Sequence, residues 1–299
     1  MPYDAKDDSR KCYDAAIDAM RERHDAIMAA GAKRIEYIGD AVLIQGDCLE
    51  IMPALGRVDS AFFSPPYNLG EGMEDKGGFR VGHSGSRWRN TGFSEGYNSH
   101  SDNMPYNDYC DWQRSVLDVC WSITRGAIFY NHKPRVVKGE LRTPLSFIPF
   151  PLRQIIIWDR RGGFNYNAGA YMPSHEWIVL GAKPGWQLRS KAASGVGDVW
   201  RITPQGVEGH PCPFPVELPA MAMETTSGDL WLDPFMGSGT TLVAATQLGR
   251  RSIGIELDPD YFDIACKRVS EAWKQPRLFD EPKAPKPVTG DMFAQGDPQ

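Results

Sequence analysis

The chain predicts an open α/β fold, a sheet of seven mostly parallel strands with helices on both faces, and three observations predict it. Seven short apolar runs, at 41–44, 58–63, 127–130, 154–158, 177–180, 230–232 and 251–256, carry the β-branched and aromatic residues of buried strands. Several are followed by helical patterns, the alternation from which parallel sheets are built. Two of them, 58–63 and 230–232, end in proline or glycine turns flanked by polar residues, as strands do at the ligand-binding edge of such a sheet.

At 299 residues, 41% apolar and 11% aromatic, the chain can bury a sizeable core and is neither a disordered nor a fibrous sequence. Its six cysteines, at 12, 48, 110, 120, 212 and 266, include no Cys-x-x-Cys pair and no histidine at zinc-finger spacing. Reduced thiols, no metal site and a cytoplasmic setting in a bacterial or phage-infected cell are therefore expected. No apolar run has membrane-spanning length, and no signal peptide is expected. The net charge of −5 is unevenly spread: residues 76–206 hold 17 Lys+Arg against 9 Asp+Glu, the remainder 16 against 29. Local rather than total charge decides whether phosphates can dock, so the basic middle points to nucleic acid.

In chain order, residues 1–35 are expected to be a helical extension. Tyr13, Ile17, Met20, His24 and Ile27/Met28 share one face over 7–30, to pack on the core or to contact DNA or a second copy in a homodimer. Residues 36–274 form the main domain. Ala41–Ile44 is its first strand, and Asp47 follows it on the ligand edge, although an acid there is also an ordinary helix cap. Val58–Phe63 ends in Ser64, Pro65, Pro66, Tyr67 and Asn68. The prolines stiffen that turn and lack amide hydrogens, so Ser64 and the nearby carbonyls offer acceptors beside an aromatic face. Such a set suits a planar heterocycle bearing an amino group.

Residues 70–105, rich in Gly, Ser, Asn and Arg, are too polar for a core and too long for an idle connection; Arg80, Arg87 and Arg89 there are candidate DNA contacts. A helix over 109–123 and a strand over 127–130 come next. Segments 133–153, 160–173 and 185–209 are expected to read the DNA sequence, with Lys133, Arg160, Arg161, Arg189 and Lys191 as contacts.

The strand ending at Asp233 runs through Phe235, Gly237, Ser238, Gly239 and Thr240 into a helix, and a second strand ends in Glu256, where a ribose-holding acid belongs. Without a lysine before Thr240 the turn is no nucleoside-triphosphate loop, and Leu242 occupies the third glycine position of a dinucleotide fold. A nucleoside-type cofactor without pyrophosphate remains.

Together, Asp233-Pro-Phe-Met-Gly-Ser-Gly-Thr-Thr241 and Ser64-Pro-Pro-Tyr67 resemble the cofactor and catalytic motifs of the S-adenosylmethionine-dependent DNA amino-methyltransferases, in the permuted order of their β group, catalytic motif first. Gly46-Asp47, the run 174–180, the run 210–215 and Gly254 to Asp258 add to the likeness, which covers roughly residues 40–272. It implies a Rossmann-like methyltransferase sheet, S-adenosyl-L-methionine as cofactor and double-stranded DNA as partner. By resemblance, Phe235, Gly237 and Gly239 line the methionine end of the cofactor, Glu256 takes the ribose, Asp47 the adenine, Phe214 packs nearby, and Ser64, Pro65 and Tyr67 hold a flipped base. Ser64, where many adenine enzymes carry Asp, tilts the target to cytosine-N4 over adenine-N6. Cys212 precedes the cofactor strand, misplaced for a cytosine-C5 nucleophile. Other readings are methylation of a protein glutamine amide, or a non-catalytic DNA-binding module of the same fold. In the 275–299 tail, expected to be disordered, Gln275 to Phe279 (QPRLF) resembles the peptide that docks in bacterial sliding clamps.

Overall fold

The structure, a computed structural model, describes residues 18, 20–68, 104–137, 139–162, 171–204 and 214–275. Eleven strands fall within these residues: β1 (Arg34–Ile38), β2 (Ala41–Gln45), β3 (Val58–Phe63), β4 (Thr124–His132), β5 (Arg135–Val137), β6 (Glu140–Arg142), β7 (Leu152–Asp159), β8 (His175–Ala182), β9 (Val199–Arg201), β10 (Leu230–Asp233) and β11 (Arg251–Glu256). Nine of them make one sheet in the order β1-β2-β11-β10-β3-β4-β8-β7-β9, and β5 pairs with β6 alone. From β2 to β4 the strands are parallel; β8 lies antiparallel to β4 and to β7, and β9 parallel to β7.

The sheet has nine strands rather than the expected seven because two edge strands carry little apolar signal. β1 (RIEYI) is half-exposed along its length and antiparallel to β2, and β9 is three residues long with only Trp200 buried. β4 also extends past the predicted run to include Asn131 and His132, both buried.

Helices cover both faces: α1 (His24–Ala29), α2 (Cys48–Leu55), α3 (Tyr106–Ile123), α4 (Lys191–Ser194), α5 (Glu217–Thr225), α6 (Thr240–Gln247) and α7 (Pro259–Lys274). Strand alternation divides the core between the faces. Phe63, Tyr130, Ile44 and Ile253 pack with residues of α1, α2 and α3, while their neighbours Phe62, Phe129 and Trp231 pack with α5 and α6, and Leu43 with α7. Helix α3 buries Tyr109, Cys110, Gln113, Val116, Leu117, Cys120 and Ile123, one face at steps of three and four. Helix α7 buries Phe262, Ala265, Val269 and Ala272 in the same way, and Asp258 caps it, accepting the amides of Asp260 and Tyr261. Of the predicted N-terminal helix the described part buries Met20 and Ile27.

This topology gathers the carboxyl ends of β2, β11, β10, β3 and β4 at one edge. Because β8 is antiparallel, its amino end, with Glu176, lies at that edge too, as does the carboxyl end of β7. The chain leaves β10 towards β11 on one side and leaves β3 towards β4 on the other. A crevice between β10 and β3 follows, the position where open α/β sheets bind ligands.

Candidate active site

One wall of the crevice is the turn between β10 and α6. Gly237 and Gly239 have φ of 50° and 79°, left-handed values that favour glycine, and a Cβ on Gly239 would sit 3.0 Å from that of Ala265. The backbone amide of Gly239 reaches Met236 O at 2.7 Å and that of Met236 reaches Ile255 O at 2.9 Å, which ties the turn to β11. Glu256, ending β11, accepts from the Gly237 amide at 2.8 Å and from the Asp258 amide at 2.9 Å, one on each oxygen. A carboxylate has about four lone-pair sites, so ribose-type hydroxyls can still be accepted there. Asp233 is fully buried, with one oxygen on the Phe235 amide at 3.0 Å and the other without a hydrogen-bond partner among the described residues. Burial pushes both carboxyls up to about 7. A glycine-lined turn that excludes side chains, an unpartnered buried carboxyl oxygen and an acid at the next strand end together fit a polar nucleoside ligand.

The other predicted cofactor residues take several parts. Asp47 caps α2, accepting the Leu49 amide at 2.8 Å, at the same edge as Glu256, whose carbonyl takes the Gly46 amide. Phe214 packs 5.5 Å from Phe62 between ring centroids. Phe235 faces Phe63 at 6.0 Å and Trp112 at 5.6 Å, so the cofactor turn abuts the catalytic strand. Ser238 and Thr240 are buried, with their hydroxyls held by Arg268 of α7 at 2.9 and 3.2 Å; they secure the turn from behind.

The second wall follows β3. Ser64 Oγ lies 2.6 Å from Tyr67 Oη, and Tyr67 donates to Glu176 Oε2 at 3.1 Å. The Asn131 amide nitrogen, at the end of β4, donates to Tyr67 Oη and Glu176 Oε2, each at 2.9 Å, and to Ser64 Oγ at 3.3 Å. Arg160, just past β7, donates to Glu176 Oε1 at 3.1 Å and to the Pro173 carbonyl at 2.8 Å. The Pro66 carbonyl accepts from Tyr109 at 2.9 Å and Gln113 at 3.4 Å, so it serves as an anchor of the turn to α3. His132 stands with its ring 4.8 Å from that of Tyr67 and its Nε2 2.9 Å from Tyr109 Oη; burial holds it down to about 3, so it is neutral. Asn68, with φ of 56°, exchanges two bonds with the Met104 backbone at 2.8 and 2.7 Å and clamps the end of the turn.

Sequence reasoning assigns no role to Asn131, His132, Glu176, Tyr109 or Gln113. The available signal was a polar residue closing or opening an apolar run, as in Phe129-Tyr-Asn-His132 and His175-Glu-Trp-Ile178, which does not reveal its partner.

Among the expected DNA contacts, Arg160 is turned inward on Glu176, whereas Arg161 is exposed at the same edge of the sheet. Lys133 stands beside Arg135 and Arg142 around a small cleft with Tyr106 and His132. Arg189 and Lys191 are not brought to the site: the Arg189 amide bonds Thr225 O at the end of α5, and this segment follows Lys183, whose amide bonds Gly126 O at the opposite edge of the sheet. Arg80, Arg87, Arg89, Cys212 and residues 276–279 lie outside the described residues.

Comparison with known proteins agrees with this architecture. A family model described as DNA methylase, of the N6/N4 methyltransferase type, matches residues 58–267. The chain is 30% identical over 283 residues to the Type II methyltransferase M.ScaI of Streptomyces caespitosus, covering 84% of this chain and 88% of that one. Among solved structures, the PvuII DNA methyltransferase (cytosine-N4-specific) superposes with a TM-score of 0.58 at 16% identity, covering 79% of this chain and 92% of that one. The DNA modification methylase TTHA0409 of Thermus thermophilus, complexed with S-adenosyl-L-methionine, gives 0.51 at 22% identity, over 77% and 95%. With that family model matched along most of its length, the chain belongs to the N6/N4 DNA methylase family and is a DNA amino-methyltransferase.

Proposed function

We propose that the protein transfers a methyl group from S-adenosyl-L-methionine to the exocyclic amino group of a base flipped out of double-stranded DNA, with cytosine-N4 preferred over adenine-N6. The observation that carries this reading is the adjacency of the two walls: the glycine turn with Glu256 and the Ser64–Tyr67 turn meet across Phe235 and Phe63. When bound, S-adenosyl-L-methionine supplies a sulfonium methyl, which passes to nitrogen while both electrons of the broken bond stay on sulfur. Glu256 would hold the ribose hydroxyls, and Gly237 and Gly239 would leave room for the methionine end beside Asp233.

An exocyclic amino nitrogen is a poor nucleophile because its lone pair is delocalised into the ring. Accepting its hydrogens at Ser64 Oγ and at the Pro65 carbonyl localises that pair, so the residues act by positioning and electrostatics and need no covalent intermediate. The Tyr67 ring offsets part of the lost stacking of a flipped base. Exposed Arg161, with Lys133, Arg135 and Arg142 beside the catalytic turn, supplies positive charge for backbone phosphates. The preference for cytosine rests on Ser64, and PvuII, whose fold the chain resembles, is cytosine-N4-specific.

Mass spectrometry of nucleosides from unmethylated DNA incubated with the protein and S-adenosyl-L-methionine tests the reading, with Tyr67→Ala as control. N4-methylcytosine is the expected product. N6-methyladenine would reverse the base preference, and neither product, with cofactor bound, would remove the reading.

A further inference from the structure

We propose that Glu176 is the terminal proton acceptor of this reaction, receiving through Tyr67 and Ser64 the proton that the methylated amino nitrogen must lose. The inference rests on the amino-methylation reading above and goes beyond it, because neither the catalytic turn nor the cofactor turn accounts for a buried carboxylate behind Tyr67.

The argument is the direction of the hydrogen bonds. Tyr67 Oη donates to Glu176 Oε2 at 3.1 Å, which leaves its oxygen to accept from Ser64 Oγ, 2.6 Å away. Ser64 has then spent its own hydrogen inward, and its lone pairs are what it can offer an amino hydrogen. Asn131 reinforces this polarity, since its amide nitrogen only donates, and it donates to all three oxygens of the series. The series ends at a residue 6% exposed, whose second oxygen takes the Arg160 guanidinium at 3.1 Å. A buried acid is retained against its desolvation cost only with such partners. His132, the other titratable ring beside Tyr67, is unsuited to the task because its Nε2 is engaged by Tyr109 and burial disfavours its charged form.

The proton balance is simple. Once the nitrogen carries the methyl group it holds one proton too many. Its N–H bond breaks, the electron pair returning to nitrogen and to ring delocalisation, as a new O–H bond forms on Ser64. The former Ser64 proton moves to Tyr67 Oη and the former Tyr67 proton to Glu176 Oε2, so both hydroxyls end as they began. The positive charge has moved from the base to the Glu176–Arg160 pair, and Arg160 favours later release of that proton to solvent.

Single-turnover methyl transfer to unmethylated DNA, with labelled S-adenosyl-L-methionine at saturation, tests the relay in the full chain. Glu176→Gln keeps the shape of the side chain and removes the acceptor; Tyr67→Phe keeps the ring and removes the link. Each is expected to slow transfer about 100-fold, in the range for lost acid–base catalysis, with cofactor Kd unchanged, and the double variant to be no slower than the slower single. In H2O/D2O mixtures the wild-type rate should bend downward with deuterium fraction because several protons move, and this curvature should vanish in Glu176→Gln. A role confined to holding Tyr67 in place would leave the curvature intact. Wild-type rate or retained curvature in Glu176→Gln overturns the relay. Should that variant not fold, full rate in Tyr67→Phe does so alone. A wild-type protein that methylates no amino group in DNA brings down the underlying reading instead.

Discussion

The two walls of the crevice are built on different principles. The cofactor wall is local: Glu256 and the amide it accepts at Gly237 are 19 residues apart, and the contacts are made by backbone groups of one turn. The catalytic wall is assembled at long range. Tyr67 and Glu176 are 109 residues apart, Ser64 and Asn131 are 67, and the network is almost wholly side chain to side chain, drawn from the ends of β3, β4, β7 and β8. A turn of backbone amides holds its geometry wherever strand and helix hold theirs. A side-chain network holds only while every member is present, so the first wall should be robust to single side-chain losses elsewhere and the second fragile.

The separation can be broken or sharpened experimentally. The largest effect is expected from Tyr67→Ala, which removes the centre of the network: methyl transfer should fall by roughly 1,000-fold, of the order general acid–base and positioning groups contribute. Cofactor affinity, followed by calorimetry, should stay unchanged, and a parallel loss of binding would show that the walls are not independent. Glu256→Ala should do the reverse, weakening cofactor binding by about 30-fold, which is about 2 kcal/mol for hydrogen bonds to a charged group, with no change in DNA affinity by gel shift.

A smaller effect is expected from Gly239→Ala. The left-handed φ of 79° and the 3.0 Å approach to Ala265 should lower stability by about 1–2 kcal/mol. That is a few degrees in a thermal melt, accompanied by weaker cofactor binding.

The smallest concerns pH. Asp233 and Glu256 are raised from ordinary carboxyl values to about 7, so the stability they contribute is fully present below the unfolded values and is lost as pH rises through about 7. His132, held down to about 3, works the other way, its contribution being lost as pH falls from its ordinary value of 6.5. Between pH 6.5 and 8 only the carboxyl effect remains from these three groups. The cofactor-free protein should melt lower at pH 8 than at pH 6.5, and Glu256→Gln should flatten the slope; a melt that rises with pH would contradict the burial argument.

How much of this was legible beforehand follows from the same contrast. The cofactor wall could be read because glycine spacing, strand period and the acid at the next strand end are all encoded within residues 230–256, and Asp233, Gly237, Gly239 and Glu256 stand together in the crevice. Ser64 and Tyr67 were visible as a proline-stiffened turn. Ser238 and Thr240 were misleading in one respect: their types suit a ligand, yet Arg268, 30 and 28 residues onward, holds their side chains. Arg160 was read by charge as a surface contact, and the carboxylate that turns it inward could not be anticipated without knowing that β7 and β8 are neighbours. Arg189 and Lys191 were grouped with the recognition segments by local charge, and the chain's return past β8 to the opposite sheet edge separates them from it.

The sequence alone determined the strand and helix periods, the order of the strands along the chain, the two turns and the asymmetry of charge, because these depend on neighbours within a few residues or on simple composition. Only the tertiary structure decided which polar residues meet. Asn131, Arg160 and Glu176 acquire their roles from strand order and from the antiparallel placement of β8, which bring residues more than a hundred positions apart within hydrogen-bond distance of one hydroxyl or carboxylate. Hydrogen bonds act over about 3 Å, and no pattern along the chain records that distance.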